Sequence, residues 1–312
     1  MDYIIDTIKY VVEKSSHVKI NRERIDEFVK AHEIKGNWSE LTQFPELSDK
    51  DKIAYIIIID SINFCYWGDP KWSIEYEGKL LDGYFAMDAA IHRALKNNVP
   101  FLDAKYLSEL TANELKEIFS GNTQIPLFDE RLRILNEIGK ECISRYAGDF
   151  SKMVIESKKD VVTLLKKIVE TFPSYDDVTM YKGKEVRLFK RAQLAISDIH
   201  IIFNGKGYGE FKNFHELNAF ADYKIPQILR KLGILEYDKE LARKIDNKIM
   251  IEKDSEQEIE IRANMIWAIE IIKKSYNNPN MTSSDIDHYL WMLSQAKSPN
   301  DKPYHLTKTI YY

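Results

Sequence analysis

Apolar residues recur at three- and four-residue spacing along most of this chain, and that spacing constrains the fold more than any other feature. It gathers them on one stripe of an α-helix, whereas a half-buried strand alternates with a period of two. Residues 21–32 put Ile25, Phe28, Val29 and His32 on one stripe, and 130–146 repeat Leu132, Leu135, Ile138 and Cys142. Residues 158–172 repeat Val161, Leu164, Leu165, Ile168 and Phe172 and stop at Pro173, and 258–276 and 283–296 follow the same pattern. Residues 111–119 open with a capping box, Thr111 with Glu114, and Gly121 is read as the stop.

Strand signals are few. Residues 178–189 form two short alternating runs around a Gly-containing turn and are expected to make a small hairpin. The apolar run inside 52–67 is β-branched enough for a buried strand, but nothing nearby supplies parallel partners, so a buried helix is expected. With 12 Gly and 9 Pro scattered thinly and no repeat or linker, the expected architecture is mostly α, one domain over 1–312 with a small β-hairpin.

Composition narrows the function. Net charge is −4, whereas a protein that wraps a long polyanion needs a basic surplus to neutralise phosphates, so intact RNA or DNA is not the expected partner. Only Cys65 and Cys142 occur, with no Cys/His spacing that suits zinc, which fits a reducing compartment. The first residues carry acids and lysines too early for a secretory signal. The apolar run at 54–59 falls far below the roughly 20 residues that span a membrane. A soluble, cytoplasmic protein with no membrane partner is expected, and nothing in the sequence requires a metal or an organic cofactor.

Three segments carry candidate chemistry. Residues 60–70 place three rings within four positions and then break into Gly-Asp-Pro. They are core packing that ends in a turn, or Phe64 or Trp67 walls a planar group while Asn63 or Asp69 hydrogen-bonds to it. Residues 186–203 put Lys190, Leu194 and Asp198 on one side of a helix, with Leu188, Ala192, Ala195, Ile199 and Phe203 available to the core. A Lys190–Arg191 pair at a helix start opposes the macrodipole. Either the pair is solvated, or Lys190 faces a pocket and binds an anion such as phosphate. Residues 217–235 place Asp222 between Phe220 and Tyr223, ahead of a helix expected from Ile225 or Pro226. That distance weakens the reading of Asp222 as a helix cap. A carboxylate flanked by rings, partly desolvated, can act as a general base or stabilise a cationic transition state. Other templates fail: GxSxG, the P-loop, HExxH and CxxC are absent, and the glycines of 204–211 follow a helix and read as a loop.

Five segments and the tail together resemble the queuosine salvage protein family, the queuosine 5'-phosphate N-glycosylases. They are DSINFCYW (60–67), GYFAMDAAIHRAL (83–95), LFKRAQLAISDI (188–199), FADYKIPQILRKLGIL (220–235), EIEIRANMIWAIEII (258–272) and YHLTKTIYY (304–312). They occur in the family's order and reach nearly end to end. The resemblance implies a largely helical fold similar to helix-hairpin-helix DNA glycosylases. It also implies hydrolysis of the N-glycosidic bond of queuosine 5'-monophosphate, releasing queuine for tRNA modification. On the matching positions, Asp222 is the implied catalytic carboxylate, Lys190 the lysine of the FxKRAQ motif, and Phe220 the ring beside the acid. Met87 and Asp88 depart from the family's less polar pattern, and Asp69 sits in a variable turn, which blurs which residues read the base.

That chemistry agrees with what the residues offer. Breaking a glycosidic bond builds positive charge on the sugar, which an anion stabilises most in the transition state. Asp222 could stabilise that charge, align or deprotonate the water, or attack covalently; all three roles suit a carboxylate. A second carboxylate acting as the acid is not identifiable from the sequence. Phe220, Phe64 and Trp67 are the candidates to stack the base, Lys190 to hold the 5'-phosphate or pair with Asp222, and Arg262 with Trp267 to close the pocket. Asp198 shares the Lys190 side of its helix as a further substrate contact. Two other classes compete: a non-catalytic carrier of a modified base or nucleotide, and a glycosylase acting on a nucleic-acid polymer, against which the acidic balance argues.

Overall fold

The computed structural model describes residues 1–34, 46–296, 298 and 301–312, and among them the chain forms fourteen α-helices and six short strands. The chain begins with α1 (Asp2–Lys14), β1 (Val18–Ile20), α2 (Arg22–Ala31) and α3 (Asp49–Ser61). Next come β2 (Ser73–Tyr76), β3 (Lys79–Asp82), α4 (Gly83–Lys96), α5 (Ala104–Glu109) and α6 (Ala112–Ile118). After these lie α7 (Phe128–Tyr146), α8 (Ser151–Glu156) and α9 (Val161–Thr171). The hairpin β4 (Val178–Tyr181) and β5 (Lys184–Arg187) leads into α10 (Lys190–Ile202). The last elements are α11 (Lys224–Lys231), β6 (Leu235–Tyr237), α12 (Lys239–Asp246), α13 (Glu256–Tyr276) and α14 (Ser283–Gln295).

The helices begin where the sequence supplies a cap. Asn21, Ser48, Asp103, Asp160, Asp238 and Ser255 each accept the backbone N–H three positions on, satisfying a donor that the first turn leaves open. Thr111 with Glu114 forms the expected reciprocal box, and Thr282 with Asp285 forms a second. Gly121 does not end α6, which leaves helical geometry at Phe119. It permits close packing instead: a Cβ there would sit 2.5 Å from the Ser73 carbonyl and 2.8 Å from Trp72 Nε1.

The ambiguous run is a helix. In α3 every residue from Ile53 to Ser61 is buried, wrapped by α7, α8 and α10. A helix apolar all round needs such enclosure, since no face can be left to water. The 21-residue α13 is the second enclosed helix and packs against α1, α2, α11 and α14. Trp72, Tyr55, Phe101 and Phe172 are fully buried, so core volume accounts for much of the aromatic content. No helix among the described residues is long and apolar enough to cross a membrane.

The hairpin at 178–189 forms antiparallel, as its alternation predicts. Two further ladders exist that the sequence reading missed. β2 pairs with β3, and β1 pairs with the distant β6. Both hairpins turn through two residues of positive φ, Glu77 (49°) with Gly78 (74°) and Lys182 (44°) with Gly183 (81°). Such turns match the right-handed strand twist. A non-glycine first residue makes the signal easy to overlook.

Candidate active site

A cavity of about 230 Å³ opens between the start of α4, one face of α10, the 220–224 segment and one face of α14. On α10 the lining residues are Lys190, Leu194, Asp198 and Ile201, a helical row as the spacing predicts. Phe189, in the left-handed region (φ 47°), turns the chain into this helix. Lys190 and Arg191 are both buried, which overturns the solvated reading of the pair. Asp177 accepts the Lys190 backbone N–H (3.4 Å) and supplies the negative charge that the helix start favours. The Lys190 ammonium donates to the Asn63 carbonyl at 3.5 Å. Burial lowers its pKa, while Asp222 and Asp60 pull the other way. Arg191 donates to the Ser61 and Ser174 carbonyls and lies over the Phe64 and Tyr175 rings at 5.2 and 5.1 Å.

Asp222 lines the same cavity as Lys190, with Phe220, Tyr223 and Lys224 beside it. The helix α11 starts at Lys224, earlier than the apolar pattern suggested, with Tyr223 at its boundary, and the capping bond comes from one position further back: Asp222 Oδ1 accepts the Ile225 N–H at 2.8 Å. Cap and cavity are therefore not alternatives: one carboxylate does both. Burial raises its pKa, and Lys190 with the Ile225 N–H opposes that rise. The carboxylate is thus costly to ionise, and the nearby ammonium offsets part of the cost.

Sequence reasoning missed the α14 face. Asp287, His288, Trp291, Met292 and Gln295 line the cavity, a row that helical spacing explains. Asp287 is buried, and its Oδ2 accepts the Phe220 N–H at 2.9 Å. Burial raises its pKa to about 7, Asp222 adds to the rise, and His288 and Lys190 oppose it. Burial disfavours charge on His288, but Asp198, with its Oδ1 3.8 Å from Nε2, and Asp287 outweigh it and raise its pKa. The readable signal was an Asp-His pair in step with Trp291, but the segment was read for its apolar periodicity alone.

Of the residues singled out beforehand, Asp222, Lys190, Phe220, Phe64 and Asp198 share the cavity. Trp67, Arg262 and Trp267 are not among its lining residues. Trp67 is half-buried against the core, and so is Trp267, with the Lys274 ammonium 5.9 Å from its ring. Arg262 is buried behind the cavity, where it clamps its neighbours. Its guanidinium donates to both Asp177 oxygens (3.1 and 2.5 Å) and to the Ala221 carbonyl (3.2 Å), lies 3.5 Å from Glu258, and sits over the Tyr312 ring at 4.3 Å. The guanidiniums of Arg131 (4.4 Å) and Arg191 (5.2 Å) both lie over the Phe64 ring. Tyr66, Tyr84, Phe85 and Trp291 supply further rings to the lining. Met87 and Asp88 are not among the lining residues: Met87 accepts the Tyr66 hydroxyl, and Asp88 the Tyr55 hydroxyl.

One cluster elsewhere has metal-ligand composition: His17, Glu256 and Glu260 bring donor atoms within 4.8 Å of one another. Glu260 already accepts the N–H groups of Ser16, His17 and Val18 and the Tyr181 hydroxyl, and His17 Nδ1 lies 2.5 Å from Asp238. That set is a hydrogen-bonded joint between β1, β4 and α13.

Buried carboxylates and a buried ammonium around a ring-lined cavity in a helical fold are the features of a small-ligand site with titratable groups placed to act on what it holds. Comparison with known proteins makes the assignment specific. Residues 43–312 match the family model described as queuosine salvage protein, and the chain belongs to that family. It is 37% identical over 99% of its length to a protein of Sphaerobacter thermophilus named queuosine 5'-phosphate N-glycosylase/hydrolase, covering 97% of that relative. Proteins of the same name from Mus musculus (35% identical, 88% of this chain and 86% of the relative) and Bos taurus (33%, 98% of each) are also similar.

Proposed function

We propose that this protein hydrolyses the N-glycosidic bond of queuosine 5'-phosphate and releases queuine for reuse in tRNA modification. One observation carries the reading. Asp222 and Lys190 come from separate segments yet line one cavity with Phe220, Phe64 and further rings. The names of its relatives supply the substrate.

In this reading the rings hold the base, and the sugar lies against Asp222. As the C1′–N bond lengthens, positive charge grows on the sugar, and a carboxylate already in place stabilises it without reorganisation. Asp222 also takes the proton of the attacking water. Lys190 holds Asp222 ionised against the cost of burial, which supports pairing over phosphate contact as its main role. Trp67, Trp267 and Arg262 have no direct ligand contact in this scheme. The whole chain, 1–312, acts as one cytoplasmic catalytic unit with a free nucleotide, not intact nucleic acid, as its substrate.

The test is queuine release from queuosine 5'-phosphate, followed by mass spectrometry, for the parent and Asp222→Asn. Release by the parent, with kcat down by about 10²–10⁴ in the variant while nucleotide binding persists, is expected. Tight binding without release by the parent would make the protein a carrier and sink the reading.

A further inference from the structure

We propose that Asp287 is the general acid of the reaction, giving a proton to the departing base while Asp222 receives one from water. The inference rests on the proposed hydrolysis of queuosine 5'-phosphate.

Geometry selects the residue. Asp287 lines the cavity from α14, which packs on α11, the helix that Asp222 caps. Its Oδ2 is fixed by the N–H of Phe220, on the same short segment as Asp222, so one loop orients both carboxylates. With Oδ2 occupied as an acceptor, Oδ1 is the oxygen that carries the proton. Two carboxylates with different surroundings, one beside an ammonium and one beside a carboxylate, are the usual means of separating base from acid. Asp222 has Lys190; Asp287 has Asp222.

Charged groups reach Asp287 from several elements. His288 lies on α14 itself, Asp222 and Lys224 on the segment entering α11, and Lys190 and Asp198 on α10. On α13, which also packs against α14, Glu270 and Lys273 are engaged with Ser283. Burial, with Asp222 beside it, raises the Asp287 pKa to about 7 against the opposing His288, Phe220 N–H and Lys190, so it can hold a proton at neutral pH.

The chemistry supplies the need. A 7-deazapurine has carbon where a purine has N7, so the ring position that commonly accepts an activating proton is missing. The proton must reach the base elsewhere. In the proposed step the C1′–N bond breaks, its electron pair leaves with the base, and the ring nitrogen takes the Asp287 proton. Water oxygen bonds C1′ and gives its proton to Asp222. Both carboxylates then exchange protons with solvent, and the balance closes as hydrolysis.

The experiment measures kcat and KM for queuosine 5'-phosphate between pH 5.5 and 9, for the parent and Asp287→Asn. The parent's kcat is expected to fall as pH rises through the Asp287 range, because the acid form is lost there. The variant is expected to lose about 10²–10⁴ in kcat, to keep KM within about threefold, and to lose that alkaline limb. Loss confined to KM would make Asp287 a base-recognition residue and overturn the proposal. So would a parent whose kcat does not fall at alkaline pH, a result that needs no variant to fold. A parent that releases no queuine overturns the parent reading as well, whereas an active parent with an unaltered variant overturns this proposal alone.

Discussion

Asp222 shows why a residue's role is not settled by naming one interaction. Its Oδ1 is committed to the Ile225 N–H, an ordinary cap, yet the residue lines the cavity with Lys190. The cap fixes the carboxylate's direction, which is what a catalytic group needs. Lys190 can be tested through this coupling. Because Lys190 lowers the Asp222 pKa, replacing it with Met should raise that pKa further. A rate that needs ionised Asp222 is present above its pKa and lost below it. The acid limb of the kcat profile of Lys190→Met should therefore lie at higher pH than the parent's. An unmoved limb in the pH series would refute the pairing. Lys190 and Asp198 were legible on the cavity side of their helix from residue type and helical spacing, and Asp222 from the rings that flank it ahead of α11. Arg262 was misread: Asp177, its ion-pair partner, is 85 positions away in sequence, a pairing only the fold creates.

At the scale of elements, periodicity placed the long helices well, and chain-distant pairing limited the rest. β1 and β6 are each three residues long and meet across most of the chain, too short to show alternation and too far apart to suggest a turn. α14 was legible as a helix while its cavity-lining face was not, since Asp287 and His288 look like solvent-facing residues until α11 covers them. The α5–α7 contact gives a stability prediction. A Cβ at Gly139 would lie 2.4 Å from Ser108 N and 2.5 Å from the Ala104 carbonyl, both backbone atoms. Gly139→Ala should destabilise the fold by about 1–3 kcal/mol through forced separation of the helices, despite Ala's better helix propensity. Denaturant midpoints at constant slope would show it, and a stabilised variant would mean that the two helices part freely.

At the scale of the whole molecule, charge and burial make two further predictions. A free nucleotide carries one phosphate group, so raising salt from 50 to 200 mM should change KM by no more than about threefold. A protein gripping six to ten phosphates of a polymer would lose about 10³–10⁵ in affinity over that range. Steep salt dependence would reopen a polymer substrate. Buried and exposed ion pairs should also differ. Arg262→Met strands Asp177 and Glu258 inside the protein and should cost about 3–5 kcal/mol, whereas Arg24→Ala, which frees exposed Glu27, should cost no more than about 1 kcal/mol. Chemical denaturation of the two variants side by side makes the comparison.

The Arg262 clamp has a genetic consequence. Through Asp177 it touches the backbone of Lys190, and through the Ala221 carbonyl it touches the segment that carries Asp222. Both halves of the proposed chemistry thus hang from one guanidinium that is not among the cavity's lining residues. Substitutions at 262 or 177 should therefore interact with substitutions at 190 and 222, so that double mutants depart from the product of the single effects. Divergence at this site is then constrained in concert: the arginine and its aspartate can change only together, or by a path on which the proposed catalytic pair is already impaired.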